Sequence, residues 1–304
     1  METSFSTKLI SRIETELGVT ITKTQTPPQG TSSQVFFVTT TDGHEYAIKY
    51  GKDAMKDVPA LELIQQKGAL VPVPKLYASF VFEDTPVIVL ERIYSPLVES
   101  VSSPEMERYI PSMIQTLREL HKINSPTPGF LTDTEHTKTW REILLSIFNG
   151  ETFDWHEIAQ REGVDGDLIL RSVNFITEKI IHTEFPSGPY ALLHTDFNQR
   201  NLFIDPQSDR ITAVVDWEEA LYGDPLYDFA RVRMLMWHFN FSEEAVSSYY
   251  ELMRYSQEER GRENLYWLSR VIQYLGWYSE ELTEFNRGRI EMHQQYLKDY
   301  VWIN

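Results

Sequence analysis

Apolar and polar positions along this chain follow two different periods. Over 34–40 and 45–50, and again over 75–82 and 87–93, short runs rich in β-branched and aromatic residues are bounded by turn residues, which predicts four strands. Thr41-Asp42-Gly43-His44 joins the first two as a hairpin, with Asp-Gly as the strongest cue. Glu83-Asp84-Thr85-Pro86 turns between the other two. Ile10, Ile13 and Leu17 lie at helical spacing and predict a helix over 4–17. Asp57, Leu61 and Ile64 form a similar stripe, and Val71-Pro72-Val73-Pro74 then forces the chain out of the helical region.

Beyond residue 103 the dominant period is that of a helix. Ile110, Met113, Ile114, Leu117 and Leu120 mark one face of a helix over 104–123. Further amphipathic helices are predicted at 138–148, 165–182, 225–239, 242–257, 262–276 and 285–300. Short strands at 190–194, 201–204 and 211–216 interrupt them, and Pro126-Thr127-Pro128-Gly129 reads as a loop. Strands first and helices afterwards predict an α+β protein.

Three apparently ordinary residues in the second half carry the chemistry. In His194-Thr195-Asp196-Phe197-Asn198-Gln199-Arg200-Asn201, an acid and an amide stand five apart. Asp216 follows fifteen residues later, behind an apolar strand. This is the layout of a phosphoryl-transfer centre, where positioning and charge neutralisation matter more than covalent help. Asp196 would take the proton of the attacking hydroxyl. Asn201 and Asp216 offer the hard oxygen ligands that Mg2+ prefers. His194 braces the loop.

The expected counterpart lies upstream. Lys49 sits on a strand beside Ala47 and Ile48, and a half-buried ammonium needs an acceptor, here the phosphates of a nucleotide. Gly30, Thr31, Ser32 and Ser33 precede that hairpin and let backbone N–H groups approach phosphate oxygens. Of the two carboxylates that could steady Lys49, the apolar stripe favours Asp57 over Glu62, whose face is polar. The backbone of Glu91 and Ile93, at the end of the fourth strand, would meet the edge of the base.

These elements together resemble the aminoglycoside phosphotransferase and choline kinase superfamily, and most of all its hygromycin B phosphotransferase branch. The matching stretches are 30–37, 46–49, 71–76, 138–142, 193–201, 211–220 and 223–230, within a span from about 20 to about 240. The resemblance implies a protein-kinase-like, two-lobed fold. Residues 1–93 would form a small N-terminal nucleotide-binding lobe with an antiparallel five-stranded sheet. Residues 94–304 would form a larger, mainly helical catalytic and substrate-binding lobe. It also implies ATP or GTP as donor and Mg2+ as metal, and it places Asp228 in structural support of the loop near His194. Acceptor recognition would come from the helical part, with Asp154, Glu157, Glu218, Glu219 and Trp237 as candidates, since carboxylates hold ammonium groups and indoles stack on sugars or cations. The hygromycin branch has a small hydroxyl residue where this chain has Glu218, so the acceptor pocket differs there.

Composition narrows the setting. A net charge of −17, from 28 basic and 45 acidic residues, repels nucleic acid and anionic lipid and favours a cationic small-molecule alcohol as acceptor. The same charge also serves plain solubility. No run approaches the roughly 18 apolar residues of a membrane span, the start lacks a signal pattern, and cysteine is absent. A cytoplasmic monomer or weak homodimer is expected. Two other readings stay open: a metabolic kinase of choline, a sugar or an amino-acid derivative, and a nucleotide-binding protein without catalysis.

Overall fold

The computed structural model describes residues 7–27 and 34–301. Helix α1 (Thr7–Leu17) leads into strands β1 (Ile21–Gln25), β2 (Gln34–Thr40) and β3 (Glu45–Tyr50). Helix α2 (Val58–Lys67) precedes β4 (Leu76–Phe82) and β5 (Thr85–Glu91), and α3 (Ser103–Met106) and α4 (Ile110–Leu120) follow. Next come β6 (Asn124–Ser125), β7 (Gly129–Phe130), α5 (Trp140–Ser146), α6 (Trp155–Ile158), α7 (Gly166–His182) and β8 (Tyr190–Leu193). The chain ends with β9 (Leu202–Asp205), β10 (Arg210–Val214), β11 (Leu221–Gly223), α8 (Leu226–His238), α9 (Glu243–Met253), α10 (Gln257–Tyr278) and α11 (Glu284–Val301). These elements gather into two compact units, one of residues up to 123 together with 196–220, the other of 124–195 together with residues from 221 onwards.

The first unit is built on an antiparallel five-stranded sheet in the order β1-β2-β3-β5-β4. The alternating pattern decides which face is buried. Phe36, Val38, Ile48, Val87 and Val89 are fully buried and pack with Leu9 and Ile13 of α1. Each such side chain contributes about 1.5–3 kcal/mol by leaving water. The cross-strand pairs Val35↔Lys49, Phe37↔Ala47, Lys49↔Ile88 and Ala47↔Leu90 put the intervening residues on the opposite face. Helix α2 stops at Gly68, whose φ of 61° closes the helix in the left-handed conformation that glycine adopts without strain.

The same unit contains the β9–β10 ribbon, paired Leu202↔Val214. Backbone bonds anchor it: Val214 N to Pro72 O at 2.8 Å and Ile204 N to Pro96 O at 2.9 Å. Ile211 N also donates to Ser112 Oγ of α4 at 2.9 Å.

The second unit is mainly helical around a small antiparallel sheet in the order β6-β8-β11-β7. Trp140 of α5 donates Nε1 to Tyr266 Oη at 2.8 Å, Tyr266 donates onward to Asp224 at 2.9 Å, and Arg262 Nε reaches the same carboxylate at 2.9 Å. Two differences from the sequence expectations have clear causes. The two-residue strand β6 precedes the expected loop at 126–129, the two-residue strand β7 begins at its last residue, Gly129, and β11 has three residues, all too short to show a period. Helix α10 starts at Gln257 rather than 262. A Ser256–Glu259 capping box sets that start, five residues ahead of the expected one.

Candidate active site

Lys49 lies on β3 with 8% of its surface exposed. Its Nζ donates to Asp57 Oδ2 at 3.0 Å, Asp216 Oδ1 at 2.7 Å and Glu218 Oε2 at 3.4 Å. Burial alone would lower the pKa of this ammonium, but Asp57 and then Asp216 outweigh it and hold the pKa above the usual lysine value. Asp57 stands at the start of α2 and is buried, and its second oxygen, Oδ1, has no hydrogen-bond partner. Burial pushes its carboxyl up to about 6, against the pull of Lys49. Of the two carboxylates weighed from the sequence, Asp57 meets Lys49, while Glu62 faces outward on α2.

The ribbon brings the metal candidates together. Val215 N donates to Asn201 O at 3.0 Å, so Asn201 leads into β9 directly beside Asp216 at the end of β10. Asn201 Nδ2 donates to Asp196 Oδ2 at 2.9 Å and to Asp196 O at 3.0 Å, which orients the Asp196 carboxylate and turns the amide oxygen of Asn201 outward from that contact. Asn198 Nδ2 adds a bond to Asp196 O at 3.1 Å, and its Oδ1 accepts from Arg200 N at 2.8 Å. Asp216 adopts a φ of 68°, a left-handed conformation that costs a non-glycine residue of order 1–3 kcal/mol. Strain of this kind persists where the surroundings fix it, and here Lys49 holds the carboxylate.

The donor set suits Mg2+. Asp57, Asp216 and Glu218 each place one oxygen within 4.8 Å of the others, and three carboxylates around one ammonium leave a local excess of negative charge. Asp57 also keeps an unpartnered oxygen, and the Asp216 side chain is 33% exposed. Hard oxygen ligands with access to water are what that ion requires.

In the second unit, Asp228 is fully buried on α8. Its carboxylate accepts from His194 N at 3.0 Å and Thr195 N at 2.8 Å, and Arg270 Nη2 donates to Thr195 O at 2.6 Å. Thr195 has a φ of 66°. The residues just ahead of Asp196 are thus held in a strained turn by three buried bonds.

The acceptor candidates are dispersed. Asp154 caps α6, accepting from His156 N at 3.1 Å and Glu157 N at 3.0 Å, and Glu157 pairs with Arg161 at 3.0 Å. Trp237 is half-buried among the rings of Trp267, His293 and Tyr296. Glu219 is exposed. Glu218 turns to Lys49 instead of standing apart for an acceptor. Gly30, Thr31, Ser32 and Ser33 lie outside the described residues. Glu91 ends β5, and Ile93 follows it with no hydrogen bond from its main chain among the described residues. Sequence reasoning missed Asn198 and Arg270. Asn198 was legible in principle, two residues after Asp196, whereas Arg270 lies 75 residues from its partner.

A sheet with a buried lysine, with two acids and an amide in the segments flanking the ribbon, defines a phosphotransferase-type centre. The chain belongs to the phosphotransferase enzyme family, whose profile matches residues 23–266. Over 95 residues it is 30% identical to the hygromycin-B 4-O-kinase of Escherichia coli, a match spanning 31% of this chain and about a quarter (26%) of that relative. A crystal structure of a thermostable mutant of aminoglycoside phosphotransferase APH(4)-Ia, with ADP and hygromycin B bound, superposes with a TM-score of 0.77 at 17% identity, covering 97% of this chain and 98% of that one. The apo form of such a mutant gives 0.75 at 18% identity, over 97% and 98%. The amicoumacin kinase hAmiN gives 0.65 at 11% identity, over 97% and 94%. At these identities the superpositions establish the fold.

Proposed function

We propose that this chain is an ATP-dependent small-molecule kinase that transfers the γ-phosphate to a hydroxyl of a cationic, aminoglycoside-like acceptor. One observation carries the reading: Lys49 and Asp216 meet at 2.7 Å while Asn201, beside Asp216 on the ribbon, orients Asp196 at 2.9 Å. Residues 1–93 hold the nucleotide and 94–304 supply the catalytic loop and the acceptor site. Lys49 leaves Asp216 for the α- and β-phosphates, and Asp57 keeps the ammonium aligned. Asn201 and Asp216 would hold Mg2+, which would supply positive charge to neutralise the transferring phosphoryl group. Asp196 accepts the proton of the attacking hydroxyl. Asp228 and His194 keep the turn before Asp196 in shape. The local negative charge and the net charge of −17 support a cationic acceptor. The protein acts as a monomer or weak homodimer in the cytoplasm; among the described residues no helix is long and apolar enough to cross a membrane.

The test is a transfer assay with labelled ATP and GTP against hygromycin B, other aminoglycosides, choline and sugars. Asp196→Ala is expected to lower turnover by about 10²–10⁴ while leaving nucleotide affinity nearly unchanged. Phosphorylation of a metabolite with no antibiotic modified would remove the acceptor assignment. Full turnover in Asp196→Ala would remove Asp196 as the base.

A further inference from the structure

The sheet face that carries Lys49 at one end carries a second cluster at the other. Glu45 lies four residues before Lys49 on β3, about 13 Å along the strand, and alternation puts residues 45, 47 and 49 on one face. Thr39, opposite Glu45 on β2, donates Oγ1 to Glu45 Oε1 at 3.1 Å. Glu45 Oε2 accepts twice, from Arg92 Nη1 at 2.5 Å and from Tyr94 Oη at 2.7 Å. The Arg92 guanidinium lies 4.1 Å from the ring centre of Phe37 and 5.0 Å from that of Tyr94. Tyr94 is 71% exposed, yet its hydroxyl is fixed. That hydroxyl, the largest influence, helps keep the Glu45 carboxyl below its ordinary value.

The two side chains that make this cluster flank Ile93. They come from the short segment after β5 and reach back to β2 and β3, so they fix that segment against the sheet. Ile93 itself, between them, keeps its main chain free of hydrogen bonds among the described residues. A donor and acceptor held in place with no internal partner are prepared for a ligand edge.

We propose that Arg92 is a positioning residue for the nucleobase: by bridging Glu45 and Phe37 it presets the main chain of Ile93, and so it tunes base affinity without touching phosphate binding or chemistry. This rests on the kinase reading above, in which Glu91 and Ile93 meet the base. Without the brace, the segment must be ordered when the nucleotide binds, at the expense of about tenfold in affinity for one backbone residue.

The experiment compares binding of Mg-ATP and of Mg-tripolyphosphate, which lacks a base, to the full chain by calorimetry. Arg92→Ala is expected to weaken ATP about tenfold and to leave tripolyphosphate, and kcat at saturating nucleotide, within about twofold. Tyr94→Phe, which removes one hydroxyl and keeps the ring, is expected to weaken ATP about threefold. Unchanged ATP affinity in Arg92→Ala overturns the proposal. So does an equal loss for both ligands, which marks general damage to the sheet. If the unaltered protein binds neither ligand, the kinase reading fails and takes this inference with it. If the unaltered protein binds both and the Arg92→Ala loss is not confined to ATP, only the inference fails.

Discussion

Replacing Lys49 by methionine tests the electrostatic logic of the site through stability alone. The substitution keeps an unbranched side chain one atom shorter and removes the charge that three carboxylates share. Asp57 is then left 2% exposed beside Asp216 and Glu218, with one oxygen of each within 4.8 Å of the others. Removing one partner of a buried ion pair costs about 3–5 kcal/mol. The lower end applies here, because the Asp216 side chain is 33% and Glu218 20% exposed, so water takes over part of the lysine's role. Asp57 also has an escape. Burial already pushes its carboxyl up to about 6, and losing Lys49 removes the main opposing pull. A raised acid favours the fold at low pH and loses that contribution as pH rises through its folded value. The penalty should therefore be about 3 kcal/mol at pH 8 and clearly smaller at pH 5.5, where Asp57 is protonated. For a unit of this size, 3 kcal/mol corresponds to about 6–12 °C in Tm. Scanning calorimetry of both proteins at the two pH values measures it. An equal loss at pH 8 and pH 5.5, or no loss at all, would refute this account of the cluster.

Two further tests address the second unit. At Gly223 an added Cβ would lie 2.5 Å from the Trp140 ring and 2.8 Å from Leu193, so Gly223→Ala should destabilise by about 1–3 kcal/mol in denaturant titration, and a neutral result would mean that Trp140 has room to move. His238 and His293 face each other through their Nε2 atoms at 2.9 Å, and His293 Nδ1 contacts Val271 O at 2.8 Å. Burial depresses His238 to about 2 and His293 to about 4 from 6.5. A depressed histidine stabilises the fold above its unfolded value and loses that contribution as pH falls, so His293 should account for about 3 kcal/mol of lost stability between pH 6.5 and pH 4. His293→Gln should flatten that part of the pH–stability curve followed by circular dichroism; an identical slope in both proteins contradicts the assignment.

The spacing of residues along the chain was enough for the local geometry of the site. Asp196 and Asn201 are five apart on one tight loop, and their hydrogen bond follows from that separation. Val215 and Asn201 lie just beyond the paired ends of a short two-stranded ribbon, and the apolar run before Asp216 indicates the strand that brings them together. The stripe of Asp57, Leu61 and Ile64 pointed to the inward face of α2, and the carboxylate on that face is the one that meets Lys49. The Asp-Gly hairpin and the alternating runs were legible for the same reason, since turn chemistry and period act over a few residues. Strand β1 was not separately legible: four of its five residues are exposed, so it shows no alternation.

What remained hidden joins residues far apart in sequence. Glu218 reads as a second acid beside Asp216; that it shares Lys49, 169 residues away, depends on how the ribbon meets the sheet. Arg92 and Glu45, 47 residues apart, and Arg270 and Thr195, 75 apart, likewise have no common local signal. Sequence by itself determined the longer elements, the α+β class and the identity of the chemical groups, because propensity, period and side-chain chemistry are local properties. Only the tertiary structure decided which charge each group meets and how deeply it is buried, and it is burial and neighbouring charge that set the strength of an ionic contact.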